Sequence, residues 1–185
     1  MRVRETELPG VLVIEPAVHR DSRGFFLETY HAGKYREAGI ALPFVQDNHS
    51  CSAPGILRGL HAQLGEPLGK LVRCVRGAIF DVAVDVRRGS PHFRRWVGVT
   101  LSAESCHQLW VPPGFLHGFC VTDGPAEVEY KCTALWNPAQ EIAVRWDDPQ
   151  LAIAWPIAAP QLSDKDAAAP LLADIYDRLP QYDRP

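Results

Sequence analysis

The sequence predicts an all-β fold, a sandwich or barrel of many short strands with helices only at its margins. Three observations predict it. The 185 residues include 16 prolines and 14 glycines, which punctuate the chain every several residues and leave room for short strands and few helices. Apolar side chains recur with period two, most clearly in residues 77–87 (GAIFDVAVDVR), where Phe80, Val82, Val84 and Val86 fall on one face and Asp81, Ala83 and Asp85 on the other. Turn signals such as Ala53-Pro54-Gly55 and Asp123-Gly124-Pro125 separate the runs.

In chain order, residues 11–15, 55–63, 70–75, 77–87, 96–101, 108–111, 126–133 and 142–146 read as strands. Helical character is confined to residues 31–38 and to the tail after Leu162, where Ser163 followed by Asp166 resembles a capping box. Against about 150 residues per domain, the length predicts one domain, with an N-terminal arm over about 1–45 and a helical tail over about 162–185.

Composition excludes several classes. With 46% hydrophobic, 22% charged and 9% aromatic residues, disorder, collagen-like repeats and coiled coil are disfavoured. A net charge of -3 argues against a general nucleic-acid binder. The five cysteines are odd in number and lack CxxC spacing, so neither a disulfide framework nor a zinc knuckle is indicated, and a reducing cytoplasm fits. The N-terminus is charged, and no apolar run approaches the roughly 18 residues that span a bilayer. No internal repeat is present, and the only biased stretch is the DAAAPLLA of the tail.

The first chemical signal is Pro112-Pro113-Gly114-Phe115-Leu116-His117, in which a proline-glycine turn presents a histidine. This P-x-G-x-x-H spacing resembles the second cupin motif and implies a cupin-type jelly-roll β-sandwich or barrel with short peripheral helices. Metal-binding cupins need three or four convergent N and O ligands. Here the earlier strand reads Gly59-Leu60-His61-Ala62-Gln63, with Gln63 in place of a second histidine. A metal site would have to use His61, Glu66 and His117, and the expectation is a cupin without metal or other cofactor.

The segments DSRGFFLE (21–28), FVQDNHS (44–50), LRGLH (57–61), GKLVR (69–73), FDVAVD (80–85), Pro112 to Gly118, Tyr130-Lys131 and LSDKD (162–166) resemble, in order and spacing, the dTDP-4-dehydrorhamnose 3,5-epimerase family over nearly the whole chain. The resemblance implies inversion at C3 and C5 of dTDP-4-dehydro-6-deoxy-D-glucose, in dTDP-L-rhamnose biosynthesis. The protons at both carbons are acidic because each carbanion is delocalised into the C4 carbonyl, so inversion needs a base on one ring face and an acid on the other. Carried over from the family motifs, His61 is the base, Asp166 its carboxylate partner, Tyr130 the proton donor and Lys70 the cation that stabilises the oxyanion. Arg23 and Arg58 match diphosphate contacts; Phe26, Glu28, Gln46, Asn48, His117, Glu141 and Lys165 match the lining, and Trp136 takes the position of a thymine-stacking tyrosine. The family also implies a homodimer in which the N-terminal segment reaches the neighbouring pocket, making Arg23, Phe26 and Glu28 contributors in trans.

By residue type alone each has a plainer reading. His61 reads as a packed histidine, Asp166 as a helix-cap carboxylate, Tyr130 as a barrel-wall anchor, Lys70 as a solvated strand-edge charge, and Trp136 as a core or interface residue. Two departures from the family pattern stand out: Ala62 replaces an aromatic residue, and Trp136 a tyrosine. They leave open a mono-epimerase acting at C3 or C5 only, beside a non-catalytic sugar-nucleotide-binding cupin. Strict alternation along residues 57–63 also sends Arg58 and His61 to opposite faces, so for both to touch one substrate either Gly59 permits a bulge or the substrate straddles the barrel mouth.

Overall fold

Among the described residues, 1–66 and 68–182, the computed structural model has eleven β-strands. β1 (Arg2–Glu5) and β2 (Leu12–Glu15) begin one antiparallel sheet that continues through β9 (Gln108–Val111), β7 (Lys70–Asp85), β10 (Phe115–Cys132), β6 (Leu57–Gln63) and β11 (Glu141–Ala143). β5 (Gln46–Ser52) joins it through β10, and β8 (Trp96–Ser102) through β7, making nine strands. β3 (Val18–Asp21) and β4 (Gly24–Leu27) form a separate hairpin. The helices are α1 (Ala32–Glu37), α2 (Asp164–Ala167) and two 3-10 turns, Pro138–Gln140 and Leu172–Arg178. The all-β jelly roll read from the sequence is what the chain forms. Of the residues grouped as arm and tail, 2–5 and 12–15 belong to the main sheet, while the final three of the tail lie outside the described residues.

Two long strands replace shorter expected ones. Residues 70–75 and 77–87 form the single strand β7, and Asp123-Gly124-Pro125, read as a turn, lies inside β10. Shifts in β7–β10 pairing between Val121 and Val128 absorb these breaks. Gly77 takes φ +71° there, and a Cβ would meet the Asp123 carbonyl oxygen at 2.5 Å. The shift has a large consequence for facing. Phe115, Phe119 and Val121, at odd positions, share the inner core with Ala126 and Val128, at even ones.

That inner core also takes Val13, Val72, Ile79, Leu101 and Leu109. An outer cluster joins Leu60, Val82, Val84 and Leu116 to Leu172, Ile175 and Leu179 of the tail. Both faces of β7 are therefore covered, and each fully buried Val, Leu or Ile contributes about 1.5–3 kcal/mol. The Asp81/Ala83/Asp85 face predicted to be polar is the inward one, and both aspartates are completely buried. Asp85 is satisfied by Arg87 and Ser90, whose bonds outweigh the upward push of burial and hold its carboxyl below the usual range.

Candidate active site

The inner core stops short of one end of the barrel, leaving a cavity of about 500 Å³ walled by β5, β6, β7, β10 and α2. β6 supplies Arg58 and His61. Three residues apart on a regular strand they would diverge, yet both line this cavity. The cause is register: His61 pairs with His117 and Arg58 with Phe119, so β6 carries one residue more than β10 over the same interval. The bulge sits at Gly59, which takes φ +122°. A Cβ there would lie 2.6 Å from Gly118 Cα and 2.8 Å from the His117 carbonyl oxygen, so only glycine lets the strands close.

His61 Nε2 lies 2.6 Å from Oδ1 of Asp166, a residue 105 positions away on α2. The capping box is only half formed. Ser163 Oγ accepts from the Asp166 backbone N–H at 3.1 Å, while the Asp166 carboxylate turns to His61 and accepts from Gly59 N–H at 3.5 Å. Burial pushes Asp166 up, but the bond and charge of His61, with Gly59 and Ser163, outweigh it and leave the carboxyl below its ordinary range. An ionised Asp166 fixes the imidazole's orientation and stabilises it once protonated.

Tyr130 and Lys70 line the cavity from β10 and β7. Burial raises the Tyr130 phenol, with the neighbouring Cys132 acting in the same direction and Arg58 opposing, so the hydroxyl keeps its proton at neutral pH. Desolvation lowers the Lys70 ammonium against the pull of Cys132, Asp81 and Glu141. Arg58 Nε is held by Ser52 Oγ at 3.0 Å.

An adjoining chamber of about 290 Å³ shares His61, Lys70, Tyr130 and Lys165 and adds Gln46, Asn48, Trp136 and Glu141. Gln46 donates to Asn48 Oδ1 at 3.0 Å and accepts from the Trp136 backbone N–H at 2.9 Å. The Trp136 indole, 57% exposed, donates to Glu141 at 2.9 Å, and Lys165 is ion-paired to the same carboxylate. Burial raises Glu141, but Lys165 and Trp136 outweigh it and the net shift is downward.

The model of the family described as dTDP-4-dehydrorhamnose 3,5-epimerase matches residues 5–174. The chain belongs to the dTDP-4-dehydrorhamnose 3,5-epimerase family. A protein of that name from Shigella flexneri is 54% identical over 169 residues, covering 90% of this chain and 93% of the relative. One from Neisseria gonorrhoeae is 52% identical over 91% of this chain, which spans about half of that relative, 52% of its length. The crystal structure of the dTDP-6-deoxy-D-glucose-3,5-epimerase of Legionella pneumophila, in complex with dTDP-4-keto-L-rhamnose, superposes with a TM-score of 0.96 at 48% identity and 99% coverage of both chains.

In this epimerase-family chain, eleven of the fourteen residues read from the sequence line the two chambers. Arg23, Phe26 and Glu28 do not. They lie in or next to the β3–β4 hairpin, where Arg23 pairs with Asp21 of its own turn, Phe26 is 71% exposed and Glu28 pairs with Lys34. Ala62 packs into the outer cluster with Ile142 and Val144.

Sequence reasoning missed Ser50, Ser52, Cys132 and Asp81. Asp81 Oδ1 lies 2.6 Å from His117 Nε2, a second buried His–Asp pair in the wall. The inward polar face of residues 77–87 was its visible signal.

Gln63 explains why the H-x-H pattern is broken. Its amide donates to the carbonyls of Glu66 (2.8 Å) and Leu135 (3.1 Å) and accepts from Asn137 N–H (2.8 Å), tying two loops together beside the chamber. Among the described residues no cluster of three His, Cys, Asp or Glu side chains is placed to hold a metal ion. Gln63→Ala is expected to cost about 1–3 kcal/mol through the orphaned loop groups, read as a lower Tm, and to raise KM while changing kcat little.

Proposed function

We propose that this chain inverts C3 and C5 of dTDP-4-dehydro-6-deoxy-D-glucose through enolates stabilised at O4, giving dTDP-4-dehydro-L-rhamnose for dTDP-L-rhamnose synthesis. The observation that carries it is the His61–Asp166 pair at 2.6 Å in one cavity with Tyr130 and Lys70. His61 abstracts the proton next to the carbonyl, and Asp166 stabilises the resulting imidazolium. Lys70 meets the charge that develops on the C4 oxygen, and Tyr130 returns a proton from the other ring face. Arg58, His117 and Lys165 hold the diphosphate, with Gln46, Asn48, Glu141 and Trp136 around the rest of the ligand. The chemistry draws on protein side chains alone, with no cofactor or metal.

The assembly is a homodimer. An isolated hairpin such as β3–β4, with Phe25 and Phe26 57% and 71% exposed, is not stable by itself. Its seat is the neighbouring pocket, where Arg23, Phe26 and Glu28 complete the site. Mixing Arg23→Ala with His61→Asn subunits should restore activity that neither variant has. The free cysteines fit a cytoplasmic protein, and among the described residues no helix is long and apolar enough to cross a membrane.

The test is proton NMR of dTDP-4-keto-6-deoxyglucose in deuterium oxide, before and after adding a rhamnose-forming reductase. Loss of both the C3 and C5 signals, with reducible product, is expected. Loss of one signal would name a mono-epimerase, and tight binding without exchange a sugar-nucleotide-binding cupin. Tyr130→Phe should slow product formation by about 10²–10³ while isotope exchange falls less, because the base survives and the returning acid does not.

A further inference from the structure

Among the described residues only two buried side-chain oxygen or nitrogen atoms lack a hydrogen-bond partner: Ser50 Oγ, in the cavity wall, and Asp81 Oδ2. Asp81 is completely buried, and among the described residues His117 is its sole side-chain partner. His117 Nε2 is committed to Asp81 Oδ1, which leaves Nδ1 as the ring atom a ligand can reach. The groups sharing this space are Asp81 and Lys70 from β7, Arg58 and His61 from β6, and Lys165 and Asp166 from α2, with Tyr130 further along β10. Lys70 and Arg58 have no carboxylate partner among the described residues.

We propose that the Asp81–His117 pair couples binding of the nucleotide sugar to uptake of a proton. The inference rests on the reading above, that a diphosphate occupies this cavity. With its single proton on Nε2, facing the Asp81 carboxylate, a neutral His117 turns a lone pair at Nδ1 toward the phosphate oxygens, which repel it. Moving that proton to Nδ1 would set a lone pair against the carboxylate instead. Both neighbours are satisfied only when Nε2 and Nδ1 each carry a proton. In the free protein, burial and the charges of Lys70 and His61 oppose that cation and hold His117 below the usual histidine range, with Asp81 acting the other way. An arriving diphosphate neutralises Lys70 and Arg58 and adds negative charge of its own. The imidazolium then forms with a proton drawn from buffer, and Asp81 is the positioning residue that makes it necessary.

The test is titration calorimetry of the full chain with dTDP-glucose, whose phosphates do not titrate near neutrality, at about pH 8 in buffers of different ionisation enthalpy. The wild type should take up close to one proton per site, with affinity falling by up to about tenfold per pH unit above the titration of the free pair. His61→Asn should keep that uptake. In Asp81→Asn the amide can turn its N–H toward Nε2, letting a neutral His117 carry its proton on Nδ1. Binding should persist with little uptake and a flat pH dependence, which a merely structural role would not produce. Binding by the wild type without uptake, uptake lost in His61→Asn, or uptake unchanged in Asp81→Asn would each overturn the proposal and leave the epimerase reading standing. If Asp81→Asn does not fold, the wild-type and His61→Asn results still decide. No binding of dTDP-glucose by the wild type would sink both.

Discussion

Replacing His61 with asparagine is expected to lower kcat/KM for epimerisation by about 10³–10⁴ and to abolish solvent exchange at both C3 and C5. The size follows from the site. His61 is half-buried on the cavity wall with its orientation set by the Asp166 carboxylate, whereas the other imidazole there, His117, is almost fully buried against Asp81. Binding of dTDP-glucose should change only a few-fold, because the side chains proposed to hold the diphosphate are others. Exchange surviving at one carbon would assign a second base.

The same variant carries a stability signature. In the wild type the net depression of Asp166 stabilises the fold above the ordinary carboxylate range and is lost as pH falls through the folded-state value. Removing His61 deletes the largest opposing influence and leaves only Gly59 and Ser163 against burial, so Asp166 moves up from its wild-type position. Acid unfolding of His61→Asn should therefore begin at a higher pH than in the wild type, as followed by circular dichroism.

Gly59→Ala is expected to be the most damaging small substitution for the fold, at about 3–5 kcal/mol. A positive φ costs an L-residue about 1–3 kcal/mol, and overpacking adds about 1–3. Neither can relax, because the Cβ would meet backbone on both sides, Gly118 Cα and the His117 carbonyl, rather than a flexible side chain. Tm should drop by roughly 10 °C. Gly89→Ala makes the control, since φ there is +83° with nothing within 4 Å, and it should show the conformational cost alone. If the two variants melt alike, close β6–β10 approach is not what Gly59 protects. A folded Gly59→Ala protein should still lose most activity, because the bulge keeps Arg58 and His61 on one face.

Much of this architecture was legible in the residues. Period-two runs located β2, β6, β8 and β9 within a residue or two, and the Pro-Gly turn read at the end of a short strand follows β9 directly. β5 was missed for a physical reason. Its inward residues, Gln46, Asn48, Ser50 and Ser52, line or border a polar cavity instead of a core, so QDNHSCS carries no hydrophobic alternation. β7 was cut in two and β10 read only over its second half because glycine and proline at their bends look like turns, when paired neighbours in fact carry the strands through.

By itself the sequence determined the family, the order along the chain of the side chains that line the two chambers, and the all-β body that holds them. These are local properties: residue type, spacing and the alternation that burial of one face imposes. Only the tertiary structure decided that Arg58 and His61 share a face, that Asp166 meets His61 across 105 residues, that Gln63 ties loops together, and that Asp81 sits inside against His117. Each of these depends on the register between strands distant in sequence. One extra residue at Gly59 reverses the direction of every side chain beyond it, and the pairing energy that admits it belongs to β10.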